Sequence, residues 1–357
     1  MHPPMEPMLE LAPPAERSAV GPRLHGQRTA PLPGVSGIWC PSGTDGLAPP
    51  LWAQQLSGEP SACILPAITG APGASLWLAQ RGEVSLAGSV LPKARALDGT
   101  SFQRATREMI NLVLEQVLAS SAPHLVRMWS FLPGIHEPTA LHPERYQTFN
   151  AGRFEAFTAL LGRPEGFGRT LPTATCVGHR GHALAVYALG SGHPGAAIDN
   201  PRQVPAFRYS KRFGPRPPCF ARATLTHLAG VPSLIVGGTA SVLGEDTVHP
   251  GNLARQLEET IANLRAVAAA APCARGAWSV NQAISARVYV PGAGDDGAVR
   301  AALRSALPQG CELELNRASI CRRDLLVEVE LVLSLDHAPG AHAGKVATAR
   351  RRRAAGT

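Results

Sequence analysis

Apolar residues recur at helical spacing in two stretches of the chain, Arg107 to Leu118 and Leu253 to Val267, and each stretch predicts an amphipathic helix. Each predicted helix is followed by a mostly apolar segment that closes on Pro-Gly, at 124–134 and at 284–292. Such a segment predicts a strand that ends in a turn. The chain therefore contains two series of elements that start in the same order.

The same order continues beyond these strands. Second helices are predicted at Arg145 to Leu161 and at Asp296 to Ala306. Each half then has a segment that ends on a cysteine in register, followed by one more apolar strand: Thr173–Cys176 with 183–189, and Arg317–Cys321 with 325–333. This order predicts an α+β fold of two duplicated units, with their sheets packed together and their helices outside. Chance similarity between two ordinary α+β segments is the alternative.

The chain of 357 residues is long enough for two domains. The composition of its ends predicts a disordered N-terminal segment at 1–35 and a basic disordered tail at 337–357. Between these ends, the two halves are placed at 36–200 and at 201–336, and the second half is expected to be the catalytic domain.

The net charge of +8 comes partly from the tail, where Lys345 and Arg350–Arg353 are all basic. A short basic tail is typically solvated, so we predict no specific nucleic-acid binding. Most of the 34 basic residues are arginines, and only Lys93, Lys211 and Lys345 are lysines. The planar guanidinium group binds carboxylates through two hydrogen bonds, so this bias is compatible with an acidic small-molecule substrate.

The seven cysteines form no Cys-x-x-Cys pair, which favours reduced thiols and disfavours both a disulfide framework and a zinc site. No apolar run of about 20 residues is present to cross a membrane. The first 20 residues lack the apolar centre of a secretory signal. Together these features predict a cytoplasmic protein without membrane contact. The sequence offers neither a metal-ligand spacing nor a Ser-His-Asp arrangement.

The last predicted strand carries two acids, Glu328 and Glu330. Because side chains alternate along a strand, both carboxylates lie on the same face. The corresponding strand of the first half, at 183–189, contains no acid. Two glutamates on a strand often form a solvated face, but acids in only one copy of a repeat are better explained by chemistry.

Five segments of the second half resemble the Rid family of enamine and imine deaminases: Gly237–Ser241, Gln256–Leu264, Val288–Val290, Arg317–Ser319 and Val327–Glu330. The resemblance implies that the two units are Rid/YjgF-like. It also implies that Arg317 binds a substrate carboxylate and that Glu328 is functional.

From about residue 100 onward the chain is more similar to the chorismatases, which are built on a Rid-like fold. The similar segments are Arg127–Pro133, Glu144–Arg153, Phe207–Tyr209, Gly214–Arg216, Phe220–Thr224, Gly238–Ser241 and Gly244–His249. This resemblance implies release of pyruvate from chorismate without a metal or a cofactor. A duplicated chain that closes its site internally is expected to be a monomer.

Chorismate carries two carboxylates, so its site needs two cationic groups, and the bidentate geometry of arginine suits both. The similar segments offer six substrate-binding side chains: Tyr146, Arg153, Tyr209, Arg216, Arg222 and Arg317. The two tyrosines are expected to fix the ring by hydrogen bonds. For any single arginine, a surface ion pair is the alternative.

Cleavage of the enol ether begins with protonation of its methylene carbon, and Glu328 is predicted to be the general acid. An ordinary glutamic acid titrates at about 4.3; burial beside the apolar residues of this strand would raise the pKa of Glu328, and nearby arginines would lower it. A bound dianion pairs with those arginines and removes part of their effect. We therefore expect Glu328 to be protonated mainly in the substrate complex.

Two residues indicate which product forms. Cys321 lies seven residues before Glu328, and Gly238 belongs to the Gly-Thr-Ala-Ser segment. In chorismatases these features mark the branch that forms 3-hydroxybenzoate and pyruvate through an arene oxide, although Cys321 is alternatively a small buried apolar residue. Four other functions stay open: a hydrolytic chorismatase giving dihydroxycyclohexadienoate, a 4-hydroxybenzoate branch, a Rid-type deaminase and a non-catalytic binding protein.

Overall fold

The computed structural model describes residues 43–64, 68, 73–162, 164–273 and 276–335. The predicted disordered segment 1–35 and basic tail 337–357 lie outside the described residues. No helix in the described ranges is both long and apolar enough to cross a membrane.

The first unit contains a six-stranded sheet in the order β1-β2-β3-β6-β4-β5, and only β4 and β5 run parallel. Its elements are α1 (Leu51–Ser57), β1 (Pro60–Ile64), β2 (Ser75–Arg81), β3 (Val84–Leu91), α2 (Gly99–Leu118), β4 (His124–Pro133), α3 (Arg145–Leu161), α4 (Phe167–Thr170), β5 (Thr173–His179) and β6 (Leu184–Ser191).

The second unit contains a six-stranded sheet in the order β13-β12-β14-β9-β8-β7, and only β12 and β13 run parallel. Its elements are β7 (Ala196–Ile198), β8 (Ala223–Leu228), β9 (Val231–Ala240), β10 (Val242–Leu243), β11 (Asp246–Thr247), α5 (Leu253–Ala270), β12 (Ala283–Val290), α6 (Asp296–Ala306), β13 (Glu312–Arg317) and β14 (Glu328–Ser334). The chain passes from one sheet to the other between Ser191 and Ala196, whereas the predicted domain boundary lies at residue 200.

The two sheets share one topology, which confirms the predicted α+β fold and the duplication. In each unit a β-hairpin is followed by a helix and a further strand, and then by a second helix and a strand parallel to that further strand. The last strand of the unit lies in the sheet between the hairpin and the strand that follows the first helix. The predicted helices Arg145–Leu161 and Asp296–Ala306 have the observed bounds. The first helix starts earlier than predicted, at Gly99, because the Asp98 side chain accepts a hydrogen bond from the Ser101 N–H and caps the helix.

The predicted register of the two cysteines is wrong. Cys176 lies inside β5 and pairs with Ser130 of β4. With Pro133 and Pro291 taken as equivalent, the residue of the second unit that corresponds to Cys176 is Leu315 in β13. Cys321 instead follows β13 in a loop. Local spacing suggested an equivalence that strand pairing does not support.

The two sheets pack face to face, and the helices cover their outer faces. α2 buries Phe102, Met109 and Val113 against the first sheet, and α5 buries Leu257 and Leu264 against the second. Aromatic side chains from both units fill the space between the sheets: Trp77, Trp129, Phe131, Tyr187 and Tyr289. Strands covered on both faces are mostly apolar, as β6 shows.

The alternation predicted for the last strand is confirmed. Val329, Leu331 and Leu333 of β14 pack in the core beneath the helices of the second unit. Glu328 and Glu330 therefore leave the opposite face, toward the first unit. Both are buried, so the solvated-face alternative does not hold.

Candidate active site

A β-bulge lies where β9 meets the start of β14. Val329 pairs with Thr239 and Leu331 pairs with Val236, so Gly237 and Gly238 together oppose Glu330. Bulges commonly redirect side chains next to active sites.

Gly238 has no room for a side chain. A Cβ atom at this position would overlap Oε1 of Glu328 and lie 2.7 Å from its Cδ. The backbone N–H of Gly238 donates to Oγ1 of Thr175 in β5, at 2.9 Å. The glycine thus lets the Glu328 carboxyl group lie directly against the β9 backbone.

A cavity of about 460 Å³ opens in front of Glu328, between the two units. Its volume lies within the usual range for small-molecule sites, roughly 300–1,000 Å³. Seven of the nine predicted site residues line this cavity: Tyr146, Arg153, Tyr209, Arg222, Gly238, Cys321 and Glu328.

The structure does not bring Arg317 or Arg216 into the cavity lining. Arg317, at the end of β13, donates to Oδ1 of Asp296 at 2.5 Å and to the Gly292 carbonyl, and its side chain is 46% exposed. Arg216 is exposed and stacks on the Phe154 ring at 4.9 Å. The predicted roles of both arginines in substrate binding are not supported.

Arg153 and Arg222 are the two buried cations of the cavity. Their guanidinium carbons lie 5.8 and 5.1 Å from the centre of the Phe220 ring. Nη2 of Arg222 donates to the Tyr209 hydroxyl at 2.6 Å, and Nη2 of Arg153 donates to Oδ1 of Asn150 at 2.8 Å.

Neither of these guanidinium groups forms a salt bridge with a carboxylate among the described residues, and the Nε atom of each lacks a hydrogen-bond acceptor there. Buried charges in proteins are normally paired. The cavity therefore presents two cationic groups suited to carboxylates of a ligand.

Several lining residues were missed by the sequence interpretation. At the cavity mouth, Arg322 stacks on Phe213 at 4.2 Å, and Arg212 forms a salt bridge with Glu245 at 3.2 Å. Thr175 and Cys176 line the opposite wall from β5. No single segment links these residues, so their convergence depends on how the two units pack.

Glu328 titrates well above an ordinary glutamic acid. Burial, followed by the neighbouring Glu330 carboxylate, raises the pKa of Glu328 to about 8, and Arg127 and Arg222 only partly oppose this. The acid therefore holds its proton at neutral pH before any substrate binds. The expectation that protonation awaits the substrate is corrected, because it left out Glu330 and gave burial too little weight.

The pKa of Glu330 is shifted in the opposite direction, below that of an ordinary glutamic acid. Burial alone would raise its pKa, but Arg127 and Arg287 outweigh burial and lower it. Nη2 of Arg127 lies 2.9 Å from Oε1, the Tyr289 hydroxyl donates to Oε1 at 3.0 Å, and Nε1 of Trp129 donates to Oε2 at 3.1 Å. Two acids on one strand face thus hold different charges, a pattern often seen at catalytic sites.

Cys321 is a neutral thiol in the cavity wall. Burial, followed by the Glu328 carboxyl group, raises the pKa of Cys321 to about 12, and Arg322 and Arg222 only partly oppose this. A thiol of this kind is a poor nucleophile. Five cysteines are unbridged: Cys176, Cys219, Cys273, Cys311 and Cys321.

Glu328→Gln is expected to raise the melting temperature at neutral pH by several degrees. The folded protein keeps Glu328 neutral up to about pH 8, whereas the unfolded chain ionises it above its ordinary value of 4.5, so the wild type loses stability as pH rises between these values. The penalty at neutral pH is of order 3 kcal/mol, because one pKa unit equals about 1.4 kcal/mol.

Calorimetry at neutral pH and at about pH 4 checks this expectation. The gain should vanish at the lower pH, where the wild-type acid is neutral in both states. Glu258→Gln, at a side chain that is 69% exposed, is the matched control and should change neither value. An equal gain at both pH values would contradict the expectation.

The chain is similar in sequence to known proteins. The profile described as "Chorismatase FkbO/Hyg5-like, N-terminal" matches residues 72–190. A 3-hydroxybenzoate synthase of Streptomyces hygroscopicus is 36% identical over 256 residues, which are 69% of this chain and 72% of that protein. A chorismatase of Streptomyces rapamycinicus is 31% identical over 68% of this chain and 73% of its own length.

A solved structure is similar as well. The crystal structure of a chorismatase at 1.08 Å resolution superimposes with a TM-score of 0.63 and 28% identity, covering 72% of this chain and 77% of its own.

Proposed function

The chain belongs to the chorismatase family, and we propose that it converts chorismate to 3-hydroxybenzoate and pyruvate in the cavity beside Glu328. The observation that carries the proposal is a buried acid, protonated at neutral pH, facing a cavity with two buried arginines that form no salt bridge with the described residues. A dianion with an acid-labile enol ether fits both features.

Arg222 is proposed to hold the carboxylate of the enolpyruvyl group. Arg222 acts electrostatically on Glu328, so the two side chains are near each other. In the substrate, the carbon that bears this carboxylate is bonded directly to the methylene carbon. Binding of the carboxylate by Arg222 would therefore bring the methylene carbon toward the acid. Arg153, across the Phe220 ring, would hold the ring carboxylate.

The reaction starts when Glu328 gives its proton to the methylene carbon, which becomes the methyl group of pyruvate. The neighbouring ring hydroxyl then attacks the ring carbon that carries the ether, and the C–O electron pair leaves with pyruvate. The Glu328 carboxylate takes up the hydroxyl proton in this step, which restores the acid. Opening of the arene oxide with loss of a ring proton gives 3-hydroxybenzoate, so the products balance the substrate without water.

Cys321 and Gly238 are proposed to direct this outcome. Both line the cavity beside Glu328, and the hydrolytic outcome requires water at the activated side chain. A neutral thiol and a glycine pressed against the acid leave little polar space for such a water molecule.

Gly238→Ala is expected to lower kcat at least about tenfold and to increase the share of the non-aromatic diene. The new methyl group overlaps Oε1 of Glu328, so the carboxyl group must move, and displacement of a catalytic group by about 1 Å can cost 10²-fold. Chromatography separates the aromatic product from the diene, and a pyruvate assay gives total turnover.

Cys321→Ala should shift the product ratio in the same direction, whereas Cys273→Ala, a half-buried cysteine outside the cavity lining, should leave the ratio unchanged. If the wild type forms mainly the diene, the chain follows the hydrolytic outcome. Ammonia release from an imino acid without pyruvate release from chorismate would favour a deaminase instead.

A further inference from the structure

Glu330 is buried at the interface of the two units and does not line the cavity. Its contacts come largely from the first unit, although Glu330 itself belongs to β14 of the second. Arg127 and Trp129 approach from β4, and Thr175 approaches from β5. Within the second unit, Tyr289 donates from β12 and Arg287 adds a second positive charge.

Thr175 links this network to the cavity. Nη2 of Arg127 donates to Oγ1 of Thr175 at 2.6 Å, and the same oxygen accepts from the Gly238 N–H. Thr175 also acts on Glu330, where it helps to lower the pKa of the carboxyl group. The groups that fix Glu330 therefore also fix the backbone against which Glu328 rests.

Glu328 and Glu330 lie on one strand face, about 7 Å apart along the backbone. The charged and titratable groups that face Glu328 are Glu330, Arg127 and Arg222, with the thiols of Cys176 and Cys321. Two carboxylates in one buried site cannot easily both ionise, and here the arginine pair gives the charge to Glu330.

We propose that Glu330 is a positioning residue that acts through Glu328: clamped as a carboxylate by Arg127 and Arg287, it keeps its neighbour in the acid form required for proton donation. This inference rests on the proposed function for its catalytic meaning. The first unit would then have a role in the chemistry, because Arg127, Trp129 and Thr175 hold the Glu330 carboxylate, which sets the protonation state of Glu328.

Strand pairing supports the asymmetry of this arrangement. Through the pairings of β4 with β6 and of β12 with β14, Ala185 corresponds to Glu328 and Tyr187 corresponds to Glu330. The first unit thus lacks both the acid and its ionised neighbour, and it contributes Arg127, Trp129 and Thr175 to the contacts of Glu330 instead.

The dependence of kcat/KM on pH for the full chain tests this role, because it reports the pKa values of the free enzyme. Wild-type kcat/KM should fall as pH rises past about 8, where Glu328 ionises. In Glu330→Gln this fall should move to lower pH, and every unit of movement reduces kcat/KM about tenfold on the alkaline side. KM should change little, because Glu330 does not line the cavity.

Two further variants separate charge from packing. Tyr289→Phe removes a neutral hydrogen-bond donor to Glu330 and keeps the charges of Arg127 and Arg287. The pH at which kcat/KM falls should therefore not change. Glu330→Asp keeps the charge and should restore the wild-type position, with whatever loss of kcat its packing causes. The proposal would be overturned if the pH of this fall did not change in Glu330→Gln, or if it changed equally in Tyr289→Phe.

Infrared spectroscopy makes the test independent of turnover. At neutral pH the wild type should show a carboxylic-acid C=O band that is lost in Glu328→Gln and weakened in Glu330→Gln. If chorismate is not consumed, the proposed function fails while this band still tests the link between the two acids. If chorismate is consumed but the band is unaffected by Glu330→Gln, only the inference about Glu330 fails.

Discussion

Glu328→Gln is expected to lower kcat for chorismate by about 10²–10⁴-fold with little change in KM, which is the range for loss of a general acid. The amide is close in size to the acid and remains neutral, so the cavity and its arginines keep their places. What disappears is the proton that must reach the methylene carbon. Pyruvate release followed over the full pH range gives both constants.

The pH profile separates this role from simple binding. Protonated Glu328 is the active form, so wild-type kcat/KM should be highest below about pH 8 and should fall above it. The residual activity of Glu328→Gln should lack that fall. Glu258→Gln, on the exposed face of α5, should behave as the wild type. Near-normal kcat in Glu328→Gln would remove Glu328 from the chemistry.

The sequence predicted the parts of this site that depend on local pattern. Helical spacing placed Arg145–Leu161 correctly, and this helix carries Tyr146 and Arg153 to the cavity. Strand alternation placed Glu328 and Glu330 on one face. The resemblance to chorismatases supplied Tyr209 and Arg222, which line the cavity and are hydrogen-bonded to each other at 2.6 Å.

The parts that failed depend on contacts between distant segments. Trp129 and Glu330 are 201 positions apart, so the clamp that ionises Glu330 leaves no local signal. Without it, the protonation of Glu328 before substrate binding was not foreseen. Arg317 was assigned from a short likeness to Rid proteins, but in the structure it turns to Asp296 near the start of α6. A motif gives the identity of a residue, and the packing of the units decides which space its side chain reaches.

Arg222→Ala is expected to lower kcat/KM by about 30-fold to several thousand-fold, since truncating one partner of a buried charge pair typically costs 2–5 kcal/mol. Arg222 is buried, and Tyr209 orients it toward the cavity. Arg222→Lys should recover part of the loss, because it keeps the charge but not the two-pronged geometry. Arg317→Ala is the matched control and should leave kcat/KM near the wild-type value.

The change at Arg222 also has a signature in the pH profile. Arg222 lowers the pKa of Glu328 in the free enzyme, so its removal should move the alkaline fall of kcat/KM to higher pH while the value of kcat/KM below that fall drops. Loss of a binding contact remote from the acid would not produce this opposite movement. Inhibition by 3-hydroxybenzoate, which keeps only the ring carboxylate, should weaken in Arg153→Ala more than in Arg222→Ala. Equal losses of kcat/KM in Arg317→Ala and Arg222→Ala would refute the assignment of Arg222 to the enolpyruvyl carboxylate, because they would place that carboxylate outside the cavity.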